Sequence, residues 1–289
     1  MALALRDHVE YCPVLTMLAG QRQKLILEEV RRQGGMRVGE LIELLCVSDM
    51  TIRRDLDVLA SAGLVDKVHG GATAPGWLSA DEPGFEAKSH RQLDEKEAIA
   101  RAASELVKPG QAIGLTAGTT TWRLAHYLRD VPDLAVVTNS IQVANVLHGE
   151  GRPDLTVILT GGVRTPSDAL VGPVAVATLR SLHVDLLFLG VHGMSLEAGF
   201  STPNLLEGET DRAHVASAKR IVVVADHTKW DVRGLSEIAR LDGANVLVTD
   251  SGLAPEAHEV LSEHIDQIII APRQRARVRR DASHGANVA

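Results

Sequence analysis

Aromatic side chains make up only 3% of this 289-residue chain, so the buried surface has to come from Leu, Val, Ile and Ala. Hydrophobic residues reach 45%. That is enough apolar material for cores of ordinary size, and the length points to two domains. Cysteine is scarce as well, with only Cys12 and Cys46. They are too few for a disulfide framework and stand in no metal-ligand cluster, which suits a reducing cytoplasm. No apolar run approaches a membrane span. Val14 to Ala19 is too short and too poorly flanked for a signal peptide.

An excess of positive charge is missing too. The net charge is −7, which for the chain as a whole argues against nucleic-acid binding. The distribution of that charge points the other way: residues 21–75 sum to zero, residues 76–270 to −10, and the arginine-rich tail 272–289 to +4. A DNA-binding unit needs only local cations, and an acidic remainder limits non-specific adhesion. Residues 1–20 are expected to be a disordered leader, with Met17 as an alternative start, and residues 272–289 a disordered, solvated basic tail.

Residues 21–73 read as three helices and a β-turn-β element. Gln21 to Gln33 is amphipathic through Ile26 and Val30, and Gly34-Gly35 stops it. Val38 to Leu45 forms a second helix burying Leu41, Ile42 and Leu45. Ser48 is an N-cap for a third, whose Ile52, Leu56 and Leu59 recur on one face and turn inward. Gly63 ends it, Leu64 to Val68 alternates like a strand, and His69-Gly70-Gly71 turns the chain back. This is the outline of a winged helix-turn-helix. Met50, Thr51, Arg53, Arg54 and Asp57 then occupy the outward arc of the third helix. Two arginines beside a threonine at a capped helix start suit a major groove, where a guanidinium reaches guanine bidentately or clamps phosphate. Lys67 and His69 on the wing are placed for backbone phosphate. The competing reading is a solvated Arg-Arg pair bonded to Asp55 or Asp57.

Residues 74–92, with Pro75, Gly76, Pro83 and Gly84, read as a linker. A helix from Asp94 to Val107 opens the second domain, 93–271. Apolar strands follow at Ala112–Leu115, Leu134–Val137, Thr156–Leu159, Val184–Leu189, Ile221–Val224, Val246–Val248 and Gln267–Ile270, with helices between most of them. Alternating β and α elements with continuous apolar strands predict a mostly parallel α/β sheet covered on both faces, with ligands at the carboxyl ends of the strands. The loops there are polar. Gly118-Thr119-Thr120 opens a helix, where free N–H groups and hydroxyls cradle a phosphate. Asn139, Gly161, Gly162, Arg164, Asp226 and Lys229 stand in the other strand-end loops. Arg164 and Lys229 are expected to neutralise phosphate, and Asn139 and Asp226 to hold sugar hydroxyls. Ion pairing is the plainer reading for each cation, and dipole stabilisation for Glu207 and Glu209.

The run Ser48-Asp49-Met50-Thr51-Ile52-Arg53-Arg54-Asp55-Leu56, continued by Gly63-Leu64-Val65 and Val68-His69-Gly70-Gly71-Ala72, closely resembles the helix-turn-helix signature of the DeoR family of repressors. Gly118-Thr119-Thr120, Thr138-Asn139-Ser140, Thr160-Gly161-Gly162, Leu170-Val171-Gly172-Pro173, Asp185 to Gly190 and Val224 to Lys229 resemble that family's sensor domain. The resemblance spans about residues 21–270. It implies a second domain folded like ribose-phosphate isomerase, operator DNA and a phosphorylated sugar as partners, and a homodimer or homotetramer without membrane association. Three positions depart from the pattern: Cys46, where the turn often has glycine; Lys67, where arginine is usual; and Thr116, where the family usually has an acidic residue. A rival reading is a sugar-phosphate isomerase-like enzyme. Such an enzyme needs a base and an electrophile, yet Gly199 to Glu207 contains no lysine. A third is a regulator whose second domain only oligomerises. Neither a catalytic residue nor a metal or cofactor is expected.

Overall fold

The computed structural model describes residues 17–33, 35–68, 71–73, 84–148 and 152–272. Residues 1–16 of the leader, His69, the linker as far as residue 83 and the tail beyond residue 272 lie outside the described residues. The chain divides into two compact units, one within residues 1–78 and the other within 79–289.

In the first unit, α1 (Ala19–Gln33), α2 (Val38–Leu45) and α3 (Asp49–Ser61) enclose Ile26, Val30, Leu41, Leu45, Ile52, Leu56 and Leu59. The helix-spaced apolar positions are thus the buried ones; Ile42 is only half-buried. Gly63, with φ of 66°, ends α3, and Leu64 N–H reaches back to Leu59 O at 2.9 Å. That left-handed turn is open to glycine at little cost. The wing has three strands in the order β1 (Gly35–Arg37), β3 (Gly71–Thr73), β2 (Asp66–Val68), all antiparallel. The first of these has no counterpart in the sequence pattern, where Gly34-Gly35 only marks a stop. Strand β2 begins at Asp66, and Leu64-Val65 forms a bend.

In the second unit, α4 (Phe85–Ser89) and α5 (Leu93–Ser104) precede β4 (Ala112–Leu115), α6 (Thr119–Leu128), β5 (Leu134–Thr138), α7 (Ile141–His148) and β6 (Leu155–Leu159). A two-residue hairpin, β7 (Val163–Arg164) and β8 (Leu170–Val171), leads into α8 (Pro173–Arg180) and β9 (Leu186–Gly190). Then come β10 (Gly193–Ser195), β11 (Gly199–Thr202), α9 (Leu205–Ser217), β12 (Ile221–Val224), β13 (Ser236–Ala239), β14 (Val246–Asp250), α10 (Pro255–Ser262) and β15 (Gln267–Ala271). Seven strands form one parallel sheet in the order β15-β14-β12-β9-β4-β5-β6. These are the seven expected from sequence, except that Val184 makes only an isolated bridge to Ala218. Alternate side chains face opposite layers. Leu186 and Phe188 join the layer of α5, α6 and α7, while Leu187 and Leu189 join that of Met194, Phe200 and Leu261. The antiparallel sheet β10-β11-β13 in the second layer is not foreshadowed by the sequence pattern. Its strands have three or four residues, too few for a period-2 pattern to stand out.

His214 on α9 is fully buried, and among the described residues neither ring nitrogen has a hydrogen-bond partner. Burial pulls its pKa down to about 3. The unfolded chain takes up a proton below about pH 6.5 while the native state does not. The stability this neutral imidazole allows is therefore full above that pH. It is lost as pH falls toward 3, at about 1.4 kcal/mol per pH unit. His214→Met should flatten the acid limb of the stability curve between about pH 6 and 4. Denaturant midpoints measured against pH check this, and parallel acid limbs for the two proteins would refute it.

Candidate functional site

Helix α3 begins on Ser48, whose side chain accepts from Thr51 N–H at 3.3 Å and shares a 2.9 Å hydrogen bond with the Thr51 hydroxyl. With Ile52, Leu56 and Leu59 inward, Met50, Arg53 and Arg54 are exposed, Met50 to 81%. An apolar methionine held in water beside two guanidinium groups is a surface suited to thymine methyls as well as to guanine edges. Arg53 Nε donates to Asp49 Oδ1 at 2.7 Å, one turn back, and that carboxylate holds the guanidinium above its ordinary range. Arg54 makes no ion pair among the described residues. Of the two acids the sequence offers as partners for this pair, Asp55 and Asp57, Asp55 is buried instead. It accepts from Arg22 Nε and, at 2.9 Å, from Gln23 Nε2, tying α1 to α3. The backbone of Lys67 lies in β2.

In the second unit the strand order reverses between β4 and β9: β4 leads outward to β5 and β6, and β9 to β12, β14 and β15. The two chains leave the sheet in opposite directions there and open a crevice at the carboxyl ends, where ligands settle in open parallel sheets. A cavity occupies that place, with about 90 Å³ open to the centres of water-sized molecules. Ala117 to Thr120 line it after β4, Gly190 to His192 after β9, and Val224, Ala225 and Lys229 after β12. Trp122 N–H donates to Gly118 O at 3.0 Å and closes the first turn of α6. The N–H groups of Gly118, Thr119 and Thr120 take no acceptor among the described residues, as the start of a helix dictates. They point positive partial charge at the cavity.

Of the residues expected here, Gly118, Thr119, Thr120 and Lys229 line the cavity and the other five do not. Asn139 is buried with both amide atoms engaged. Its Oδ1 accepts from Ala117 N–H at 2.8 Å and its Nδ2 donates to Leu170 O at 3.3 Å, so it braces the loop that opens α6 from behind. Asp226 is buried and accepts from Thr228 N–H at 3.1 Å, shaping the short 3-10 turn His227–Lys229 that carries Lys229. Arg164 is held by Asp168, Nε to Oδ1 at 2.6 Å, on the β7–β8 hairpin. The plainer ion-pair reading describes it. Gly161 and Gly162 serve the same hairpin. A Cβ on Gly162 would lie 2.4 Å from Val171 O, so its missing side chain permits backbone packing against its own chain.

The fold also brings in residues that sequence reasoning missed. Lys96, on α5, is 4% exposed and donates from Nζ to Lys88 O at 2.7 Å. Burial lowers its pKa to about 7, against the attraction of Asp226 and with the repulsion of Lys229, Arg123 and Arg91. Lys88, Ser167, Glu207 and Asp211 also line the wall, with Phe85 and Thr202. Glu207 accepts from the hydroxyls of Thr165, at 2.7 Å, and Ser167. Lysines absent around Gly199 to Glu207 in sequence thus reach that glutamate's cavity from α4, α5 and the loop after β12. The only signal for Lys96 was its place on an amphipathic helix, where a lysine ordinarily faces solvent. Thr116 is fully buried and accepts from Gly190 N–H at 3.0 Å, so it binds the two strand ends together. Among the described residues no group of three or more His, Cys, Asp or Glu is placed to hold a metal, and no helix is long and apolar enough to cross a membrane.

Residues 22–76 match the family model described as the DeoR-like helix-turn-helix domain, and residues 91–251 the one described as the DeoR C-terminal sensor domain. The chain is 34% identical over 253 residues to a putative aga operon transcriptional repressor of Escherichia coli O157:H7, covering 86% of this chain and 93% of that one. It is 31% identical over 249 residues to the glycerol-3-phosphate regulon repressor of Escherichia coli K12, covering 86% and 97%. A solved ribose-5-phosphate isomerase in complex with phospho-erythronic acid is 15% identical with a TM-score of 0.35. It covers 47% of this chain and 52% of its own, a likeness too partial to bear on function.

Proposed function

Because this chain belongs to the DeoR family of transcriptional regulators, we propose that it is a repressor of a sugar-metabolism operon, acting through α3 on operator DNA and governed by a phosphorylated sugar in the second unit. One observation carries the effector half: at the reversal of strand order, a cavity gathers the open N-terminus of α6, Lys96 and Lys229. A phosphate dianion is costly to desolvate unless several donors replace its water. Here backbone N–H groups, the Thr119 and Thr120 hydroxyls and two ammonium groups serve, and the charge-assisted bonds are roughly twice as strong as neutral ones. No catalytic role is assigned. The base an isomerase would use, Glu207, is committed to neighbouring hydroxyls. One winged helix offers limited contact area, so a homodimer or homotetramer on repeated half-sites is part of the proposal.

On the DNA side the contacts proposed are Ser48, Met50, Thr51, Arg53 and Arg54, with Lys67 and His69 from the wing. Arg54 is the sharpest test. Its substitution removes no ion pair within the fold, so Arg54→Ala should stay folded and weaken operator binding by about 1–3 kcal/mol. Arg53→Ala frees Asp49 and should act mainly on the salt dependence, lowering the slope by about one ion if it holds phosphate. Operator titrations at several salt concentrations measure both. Wild-type affinity in the folded double variant would end the assignment of α3.

A further inference from the structure

Asp211 lies one turn beyond Glu207 on α9, lines the cavity and is 8% exposed. It makes no hydrogen bond among the described residues; only burial and the charges of Glu207 and Arg212 act on it. The surrounding polar groups already have partners or a role. Glu207 holds the Thr165 and Ser167 hydroxyls, Lys96 holds Lys88 O, and the α6 N-terminus with Lys229 serves the phosphate. A largely buried polar group without a partner is unfavourable. Such a group in a native structure calls for an explanation, and one that lines a ligand cavity has the ligand to supply it.

We propose that Asp211 is a specificity residue of this site: its carboxyl hydrogen-bonds a hydroxyl pair on the carbon chain of the phosphorylated effector, so that polyol and sugar phosphates are taken and phosphate esters bare of hydroxyls are refused. The inference rests on the phosphate reading above. Burial, reinforced by the charge of Glu207, pushes the Asp211 carboxyl well above the usual carboxylate range. Its protonated form, which this shift favours, carries one O–H donor and a carbonyl acceptor, and two adjacent hydroxyls offer the reciprocal pair. A ligand without them leaves the carboxyl enclosed and unpaired, which is how a polar site rejects an analogue lacking the matching group.

The test is calorimetric titration of the full chain with ethyl phosphate, glycerol 3-phosphate, ribose 5-phosphate and fructose 6-phosphate, on wild type, Asp211→Asn and Asp211→Leu. The wild type should prefer at least one hydroxylated ester over ethyl phosphate by about tenfold or more, on the order a buried polar pair supports. Asp211→Asn keeps a donor and an acceptor and should hold that preference within about threefold. Asp211→Leu should lose it while binding ethyl phosphate at least as tightly as the wild type, because the unpaired carboxyl is gone, which also shows that the variant is folded. A preference that survives in Asp211→Leu overturns the proposal. So does an Asp211→Asn protein as impaired as the leucine variant, because the charge would then matter and the ligand group would be a cation. If the wild type binds none of the esters, the phosphate reading itself fails and this inference falls with it, a result distinct from either variant's failure.

Discussion

Lys96→Met is expected to make the free protein more stable and unable to bind the effector. The native state buries an ammonium whose folded pKa is about 7, below the value near 10.4 of the unfolded chain. Below pH 7 both states carry the charge and the full cost of burial falls on the native state. As pH rises from about 7 to 10.4 the unfolded chain keeps its proton while the native one loses it, so stability recovers across that window. Methionine fills similar space without the charge, and exchanging buried charged groups for packed apolar ones gains roughly 1–4 kcal/mol. The variant should therefore melt above the wild type at about pH 6–7, with the gap closing toward about pH 10. Loss of the buried cation should at the same time weaken a phosphate-bearing ligand by about 3 kcal/mol or more, of the order of a hundredfold. Thermal melts across pH, with and without sugar phosphate, read both effects. A variant that is less stable at neutral pH, or that keeps ligand-induced stabilisation, would contradict the role assigned to Lys96.

Asp55→Ala is expected to disable the first unit without touching the second. The carboxylate is buried between α1 and α3 and bonded to Arg22 and Gln23. Removing it leaves the Arg22 guanidinium, itself 13% exposed in its side chain, without its counter-charge. Breaking one half of a buried pair typically costs about 3–5 kcal/mol, a large share of the stability of a small domain. Operator binding should be lost through unfolding, which circular dichroism and a lowered first melting transition would reveal, while calorimetry on the same chain still finds effector binding. This separates Asp55 from Arg54, whose removal should leave the fold intact. An Asp55→Ala protein that melts like the wild type and binds operator would show the ion pair to be dispensable.

How much of this could be read from sequence depends on how local the responsible physics is. Helix α3 is a local object. Its N-cap Ser48, its i, i+4, i+7 apolar stripe and the glycine turn after it all lie within sixteen residues, and the exposure of Met50, Arg53 and Arg54 follows from that stripe by helical geometry alone. The five central parallel strands were legible for the same reason, since a strand buried on both faces is a continuous apolar run, and the half-exposed edge strands β6 and β15 remain mostly apolar as well. The loop Gly118-Thr119-Thr120 could be placed at the ligand end because a strand leads into it and a helix leads out.

Elsewhere the outcome was decided by neighbours distant in the chain. Arg164 and Asn139 have the side chains a phosphate or a sugar needs, yet Asp168 and the backbone of Ala117 and Leu170 take them first. Lys96 lies on a helix legible only by its apolar face and Asp211 on α9, whose buried residues are mostly small or polar, and the packing of those helices on the sheet brings both to one cavity. Periodicity and capping report which residues a segment turns inward. They cannot report which buried charges meet, because an ion pair or a ligand wall joins residues far apart in the chain, across elements whose order only the packed sheet settles. The sequence by itself therefore determined the capped helix with its exposed arginines, the parallel α/β layer and the glycine-threonine loop that opens α6. The tertiary structure alone decided which cations and carboxyls line the cavity, since that depends on desolvation and on competing partners that no local pattern records.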